Sequence, residues 1–419
     1  MIIFSVFIFI LFIGSIVYVP VLFLSLSSLI LMSFKVRPVY YQATVATLIA
    51  LFCMAINGTG QTIGDVTRYY QGFEDFSYWY ALIDYKLFRF IAFYLLDLFN
   101  APIKAYTFIC ILLVSLLYQI YFDKFCKSFL PYQREDFIFR FIKLIFIISV
   151  VPLSVSLSFE NVLSFVFFFC FIVENKIEKR KKIACFFLLL SFITHFSSFL
   201  LYFILLIVIV CDRFNMKYAF SCFWVVFSMV FLYFISFINA KTGLFVVDFF
   251  IEKSNYYLFG PWSIFIGIGE YYMLFIAIVK IAISGFCTSY FYKNSKGSFE
   301  SYLFKFLLLF LIFTSLFLLS RSLVYRYVYL GFVLFAPVIY CYIRSANIKL
   351  GRRRGLTVLY ILTLFSSPNI FYVISIKDRE IKPDYFYLSS IVDIFEYEFV
   401  LPDGLEKLKS RTEKVEEIE

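Results

Sequence analysis

A chain of 419 residues, 63% apolar and only 16% charged, with a mean hydropathy of +0.90, lies far outside soluble-globular composition. Runs of about 20 apolar residues recur from end to end, and each can cross the roughly 30 Å hydrocarbon layer as a helix. The runs are continuous rather than alternating, which excludes a β-barrel. The net charge of +10 sits in short loops, as the positive-inside rule requires, and gives no nucleic-acid signature. The expected fold is all-α: a polytopic integral membrane protein with about 11 to 12 transmembrane helices.

The first 34 residues carry no charge and lack the basic start and small-residue cleavage site of a signal peptide. They read as a retained span, 2–34, followed after Lys35 and Arg37 by a second at 39–57. An external segment, 58–101, comes next and holds the polar island Gly60-Gln61-Thr62-Ile63-Gly64-Asp65-Val66-Thr67-Arg68-Tyr69-Tyr70. Asp65 and Arg68 are three residues apart and share a face on a helical turn. Asp65 can accept a proton from a hydroxyl, or hold the arginine that grips an anion. The plain alternative is a surface ion pair worth at most about 1 kcal/mol. Tyr69 and Tyr70 extend this face with rings that can stack on sugars. Residues 86–99, with polar side chains at Lys86, Arg89 and Asp97, are too short to span and suit an interfacial amphipathic helix.

Spans at 102–122, 137–157 and 160–174 follow, separated by basic clusters at Lys124/Lys127/Arg134 and Lys176 to Lys182. Glu160-Asn161, at an outer turn, is a lone external carboxylate and a weaker candidate base. The 29-residue run 183–211 has basic residues at both ends, so keeping every basic loop on one side requires a hairpin of two short helices. Its turn falls near Ile193-Thr194-His195-Phe196-Ser197-Ser198, and broken backbone at that depth suits a cavity lining. His195, the one histidine of the chain, is an ionisable group inside an apolar run. Its ordinary pKa of about 6.5 suits a general acid or base, although neutral imidazoles also serve as interhelical hydrogen-bonding groups.

The spans 218–239, 270–292, 301–319, 324–343 and 355–376 complete the membrane body, with basic clusters at Arg213/Lys217, Lys293/Lys296 and Arg344 to Arg354. An external loop, 240–269, carries Lys241, Asp248, Glu252 and Lys253 and suits a lid; Glu270 opens the next span. Arg321 and Arg326 lie on the side where the loop rule disfavours arginine. A guanidinium binds phosphate oxygens bidentately, and Arg326 enters an apolar run at a depth that suits the pyrophosphate of a lipid-linked substrate. Ordinary headgroup snorkelling is the plain alternative. Tyr325, beside Arg326, is a third candidate sugar platform. Both termini are expected outside, the domain limits being 1–376 for the membrane body and 377–419 for a net acidic tail. The nine cysteines form no C-x-x-C pair, and neither a metal pair nor a Walker sequence is present, so no metal and no cofactor are expected.

These elements, in this order, resemble the EpsG-like group of bacterial polysaccharide polymerases, which includes many Wzy-type O-antigen polymerases. The resemblance is carried by Gly64-Asp65 through Tyr69 after the second span, by His195-Phe196-Ser197, and by Arg326-Tyr327-Val328-Tyr329-Leu330-Gly331 opening a late span. It covers roughly residues 1–375; where such proteins often carry an arginine before the aspartate, this chain has Asn57-Gly58-Thr59-Gly60. The resemblance implies a GT-C-like glycosyltransferase of the bacterial inner membrane. On the periplasmic face it would transfer a growing O-antigen, capsule or exopolysaccharide chain from undecaprenyl diphosphate onto a new lipid-linked unit, inverting the anomeric centre. His195 or Asp65 would be the base, and Arg326, Arg321 and Arg68 would hold the diphosphate. Tyr69, Tyr70 and Tyr325 would face sugars. Membrane lipid, a flippase and a chain-length regulator are the implied partners.

Two other classes fit the hydrophobic profile. A lipid-linked-oligosaccharide flippase or other transporter would more often show repeated bundles and charges along a full path. A membrane O-acyltransferase would use a histidine and arginines, with its acyl donor entering from the cytoplasm. An external His195 favours the polymerase.

Overall fold

The computed structural model describes residues 38–58, 69–70, 72–73, 78–79, 86–130, 137–150, 159–214, 218–238, 241, 243, 245–261, 263–265, 267–294 and 298–347. The expected spans 2–34 and 355–376, the acidic tail, Asp65 and Arg68 lie outside the described residues. The described residues are helical, with no strand among them, and divide between Phe196 and Ser197 into two compact units.

The first unit contains α1 (Pro38–Gly58), α2 (Leu87–Leu98), α3 (Lys104–Phe129), α4 (Phe137–Val150), α5 (Phe159–Ile172) and α6 (Lys181–Thr194). Every residue of α5 is buried, as a helix that is apolar all round should be. It packs against α3 and α6, while α1 and α4 lie on α3, and α2 touches α3 and α6. Charged groups tie the basic end together. Asp123 accepts from Lys143 Nζ at 2.6 Å and from Gln42 Nε2 at 2.7 Å, joining α3, α4 and α1. A π-helical extension of α5, Val173–Ile177, carries the buried Glu174, which accepts from Tyr121 (2.6 Å), Lys124 (3.0 Å) and Arg180 (2.6 Å).

The second unit contains α7 (Phe199–Arg213), α8 (Tyr218–Phe237), α9 (Phe245–Phe259), α10 (Gly267–Asn294) and α11 (Ser298–Leu316). Its last segment runs through one turn, Arg321–Leu323, a π-helical stretch, Val324–Tyr329, and a 3-10 stretch, Leu330–Leu334, into α12 (Ala336–Asn347). This segment bends by 48° between Leu334 and Ala336. Pro337 supplies the cause, since it has no N–H to give and its ring displaces the carbonyl four residues back. The expected external loop 240–269 contains α9, a regular helix packed on α8, with Asn255 Nδ2 donating to Ser236 O at 2.6 Å.

Four helices among the described residues are long and apolar enough to cross a membrane, or five if the bent pair counts as one span. This supports a multi-pass, all-α membrane protein; the count is of the described residues, and the expected spans 2–34 and 355–376 lie outside them. Among the described residues, α6 stops before His195 after 14 residues.

The run 183–211 is interrupted where its polar stretch stands. α6 ends at Thr194, His195 is extended (φ −155°, ψ 137°), and a 3-10 turn, Phe196–Ser198, precedes α7. In the first unit, α6 starts at the Arg180–Glu174 end. In the second, α7 finishes at Asp212, which accepts from Lys305 near the start of α11 at 2.7 Å. Each leg therefore joins the break to the basic end of its own unit.

Gly331 explains one element of the late sequence pattern. A Cβ there would stand 3.0 Å from Cε1 and Cζ of Phe310. That ring is fully buried and stacked between Phe306 and Phe335, so it has little room to retreat. Gly331→Ala is expected to cost about 1–3 kcal/mol by overpacking, read as reduced resistance to unfolding in detergent. Unchanged resistance would show that the 306–310–335 stack yields freely.

Candidate functional site

Among the described residues, each unit carries a polar cluster at the end opposite its basic loops. In the first unit it is built around Glu160, in the first turn of the wholly buried α5. A carboxylate there has left water, so it must be paired and hydrogen-bonded to remain charged. Arg89 from α2 supplies a two-pronged contact, Nε to Oε1 at 2.7 Å and Nη2 to Oε2 at 2.8 Å, with side-chain exposures of 1% and 0%. The Tyr106 hydroxyl donates to Oε1 at 2.6 Å. The guanidinium lies 3.9 Å from the centre of the Tyr69 ring, which meets Phe159 and Tyr106 edge to face. Burial opposes the charge on Arg89, but Glu160 and the surrounding tyrosines outweigh it and hold the guanidinium above its ordinary pKa. Beside Glu160, Asn161 is fully buried and neither of its amide atoms has a hydrogen-bond partner among the described residues.

Several expectations change here. Tyr69 and Tyr70 are each 1% exposed, so neither ring offers an open platform for a sugar. Tyr69 is occupied by Arg89, and the Tyr70 hydroxyl pairs with Thr107 Oγ1 at 2.8 Å; burial also raises the Tyr70 pKa above its ordinary value. Glu160, held on both oxygens, is a structural pin rather than an available base. Helix α2 is amphipathic in an inverted sense: Ile91, Leu95 and Leu98 are exposed, while Arg89 points inward. That suits apolar surroundings outside and a polar contact inside. Arg89 and Tyr106 were not recognisable as partners of Glu160 by spacing. The available signal was that a lone carboxylate opening an all-apolar helix demands a buried cation. Tyr106→Phe removes a hydrogen bond to a charged acceptor and is expected to cost about 1.5–3 kcal/mol. Unfolding of the purified chain in mixed micelles measures this, and an unchanged midpoint would deny the bond any weight.

In the second unit the cluster gathers where the final segment begins. The Ser320 hydroxyl donates to Tyr257 O at 2.6 Å, and the Arg321 amide donates to Ser263 O at 2.8 Å, so α9 and its following turn fix the entry. Arg321 Nε meets Glu270 Oε1 at 2.6 Å, charge against charge without hydrogen-bond alignment of the Nε proton. Its guanidinium lies 5.1 Å from the Tyr325 ring centre. Arg326 lies 4.1 Å from the ring centre of Tyr257. Tyr325 stacks on Tyr329, whose hydroxyl donates to Met273 O at 2.6 Å. Arg321, Tyr325 and Arg326 are each half-buried, so they remain in reach of a ligand. Tyr257 and Glu270 complete the group; the sequence marked Glu270 only as a charge opening a span and gave no sign of Tyr257.

The structure thus brings Arg321, Tyr325 and Arg326 together in the second unit, and Tyr69 and Tyr70 together in the first. His195, half-buried, ends the α6 leg and belongs to the first unit. No protein-family model, curated protein or solved structure matches this chain.

Proposed function

We propose that this chain polymerises lipid-linked surface-polysaccharide repeat units. It would transfer the growing glycan from undecaprenyl diphosphate onto a new lipid-linked unit at the periplasmic face of the bacterial inner membrane. One observation carries the reading. Two arginines, each set against a tyrosine ring, stand where a broken helix enters an apolar body, at the end opposite the basic loops. Fixed guanidinium forks at such a depth suit a diphosphate whose lipid tail stays in the hydrocarbon.

The proposed chemistry is a direct displacement. The anomeric carbon of the donor sugar loses its bond to the diphosphate oxygen as the acceptor hydroxyl attacks from the opposite face. Arg326 and Arg321 neutralise the charge that develops on the departing diphosphate. A general base for the hydroxyl proton contributes about 10²–10⁴ in rate, and the sequence offers His195 and Asp65 for that role. Tyr325 offers its ring to a sugar.

The decisive experiment supplies the purified full chain, in lipid nanodiscs, with an undecaprenyl-diphosphate-linked repeat unit and nothing else. Products spaced by one repeat unit are expected. Intact substrate after prolonged incubation with folded protein would end the proposal.

A further inference from the structure

We propose that Glu270 is the resting counterion of the diphosphate site: it occupies Arg321 while the site is empty and gives way to a phosphate oxygen when substrate arrives. This deepens the polymerase reading above and rests on it for the identity of the ligand.

The Glu160–Arg89 and Glu270–Arg321 pairs differ in a way that bears on exchange. Glu160 and Arg89 are 0% and 1% exposed, and each carboxylate oxygen is held. Removing either partner there strands a charge. Glu270 and Arg321 are 18% and 19% exposed, with Arg321 Nε 2.6 Å from Glu270 Oε1. A pair with that much access to water contributes at most about 1 kcal/mol, so an incoming anion displaces it at little cost. The base of the Arg321 side chain stays in place when the carboxylate leaves, and the Tyr325 ring lies 5.1 Å from its guanidinium. The Arg321 main chain is fixed by its amide bond to Ser263 O, and the preceding Ser320 by its hydroxyl bond to Tyr257 O.

Glu270 also has somewhere to go. It lies in the first turn of the 28-residue α10, where unsatisfied amide groups make a carboxylate favourable without any arginine. A diphosphate brings more charge than one carboxylate and can engage the guanidinium fork on two oxygens. The exchange therefore favours a diphosphate ester over a singly charged ligand. Glu270 sets the threshold that an anion must exceed to hold Arg321. No bond is made or broken; one carboxylate is replaced by one phosphate oxygen on the same guanidinium.

Calorimetric titration of inorganic pyrophosphate into the full chain, held in phosphatidylcholine nanodiscs so that no anionic headgroup competes, tests this. Glu270→Gln is expected to bind pyrophosphate about fivefold more tightly than the wild-type chain. Added to Arg321→Ala, the same substitution is expected to change nothing further, because the pair no longer exists. Glu270→Asp, which keeps the charge but shortens the reach, is expected to tighten binding by a smaller factor and covers the case in which the glutamine variant folds poorly. Equal or weaker binding by Glu270→Gln, or an undiminished effect in the Arg321→Ala background, overturns the proposal. Loss of the polymerase reading is distinguishable: the repeat-unit ladder would be absent while the Glu270–Arg321 coupling persisted.

Discussion

Glu160→Ala is expected to remove about 3–5 kcal/mol of stability. The loss arises from what stays behind: Arg89, 1% exposed and pressed against Tyr69, would keep a guanidinium in an apolar setting without its carboxylate. Replacing both partners together, Arg89→Leu with Glu160→Leu, is expected to restore most of that loss, because an uncharged pair carries no desolvation penalty. Lys305→Ala, which breaks the 25%-exposed pair to Asp212, provides the contrast and is expected to cost less than about 1 kcal/mol. Denaturant titration of the three variants in the same detergent reads all of these. Equal losses for the single and double changes at 89 and 160 would mean that packing, not charge, holds α2 to α5.

Arg326→Ala is expected to lower the polymerisation rate by about 10²–10³ while leaving the unfolding midpoint nearly unchanged. The guanidinium is half-buried and lies over Tyr257, so its removal deletes a charge-stabilising group without opening a core cavity. Arg326→Lys is expected to recover little of the rate. An ammonium is a compact, strongly hydrated charge that neither forks across two phosphate oxygens nor lies flat on a ring. The assay is the repeat-unit ladder from purified lipid-linked substrate, timed in single turnovers. Near-normal ladders from Arg326→Ala would remove this residue from the mechanism and leave Arg321 to carry the diphosphate alone.

The membrane class was legible from composition, since apolar runs long enough to span leave helices as the economical solution. The break at His195 was legible from loop charge together with the single polar stretch in the 183–211 run. The late arginine cluster was legible too, because guanidinium groups against the charge rule need a reason. Other features were not, and each miss has a physical cause. Tyr69 and Tyr70 read as exposed because they follow Asp65 and Arg68 in sequence, yet aromatic rings are as well suited to covering a buried cation as to covering a sugar. Arg89 read as an interfacial charge because spacing along one helix cannot reveal a partner 71 residues away. The loop 240–269 read as a lid because its charges hide the helical pattern of α9, which α8 stabilises by packing.

The arrangement around Glu160 also dictates an order of manufacture. Arg89 and Tyr106 precede Glu160 in the chain, so a ribosome feeding the membrane delivers the cation and the hydroxyl before it delivers the acid. The groups that hold the α5 carboxylate are therefore already synthesised when that helix leaves the insertion machinery. A rearranged gene that placed 159–172 ahead of 87–106 would ask the same helix to wait, ionised or protonated, for a partner not yet synthesised.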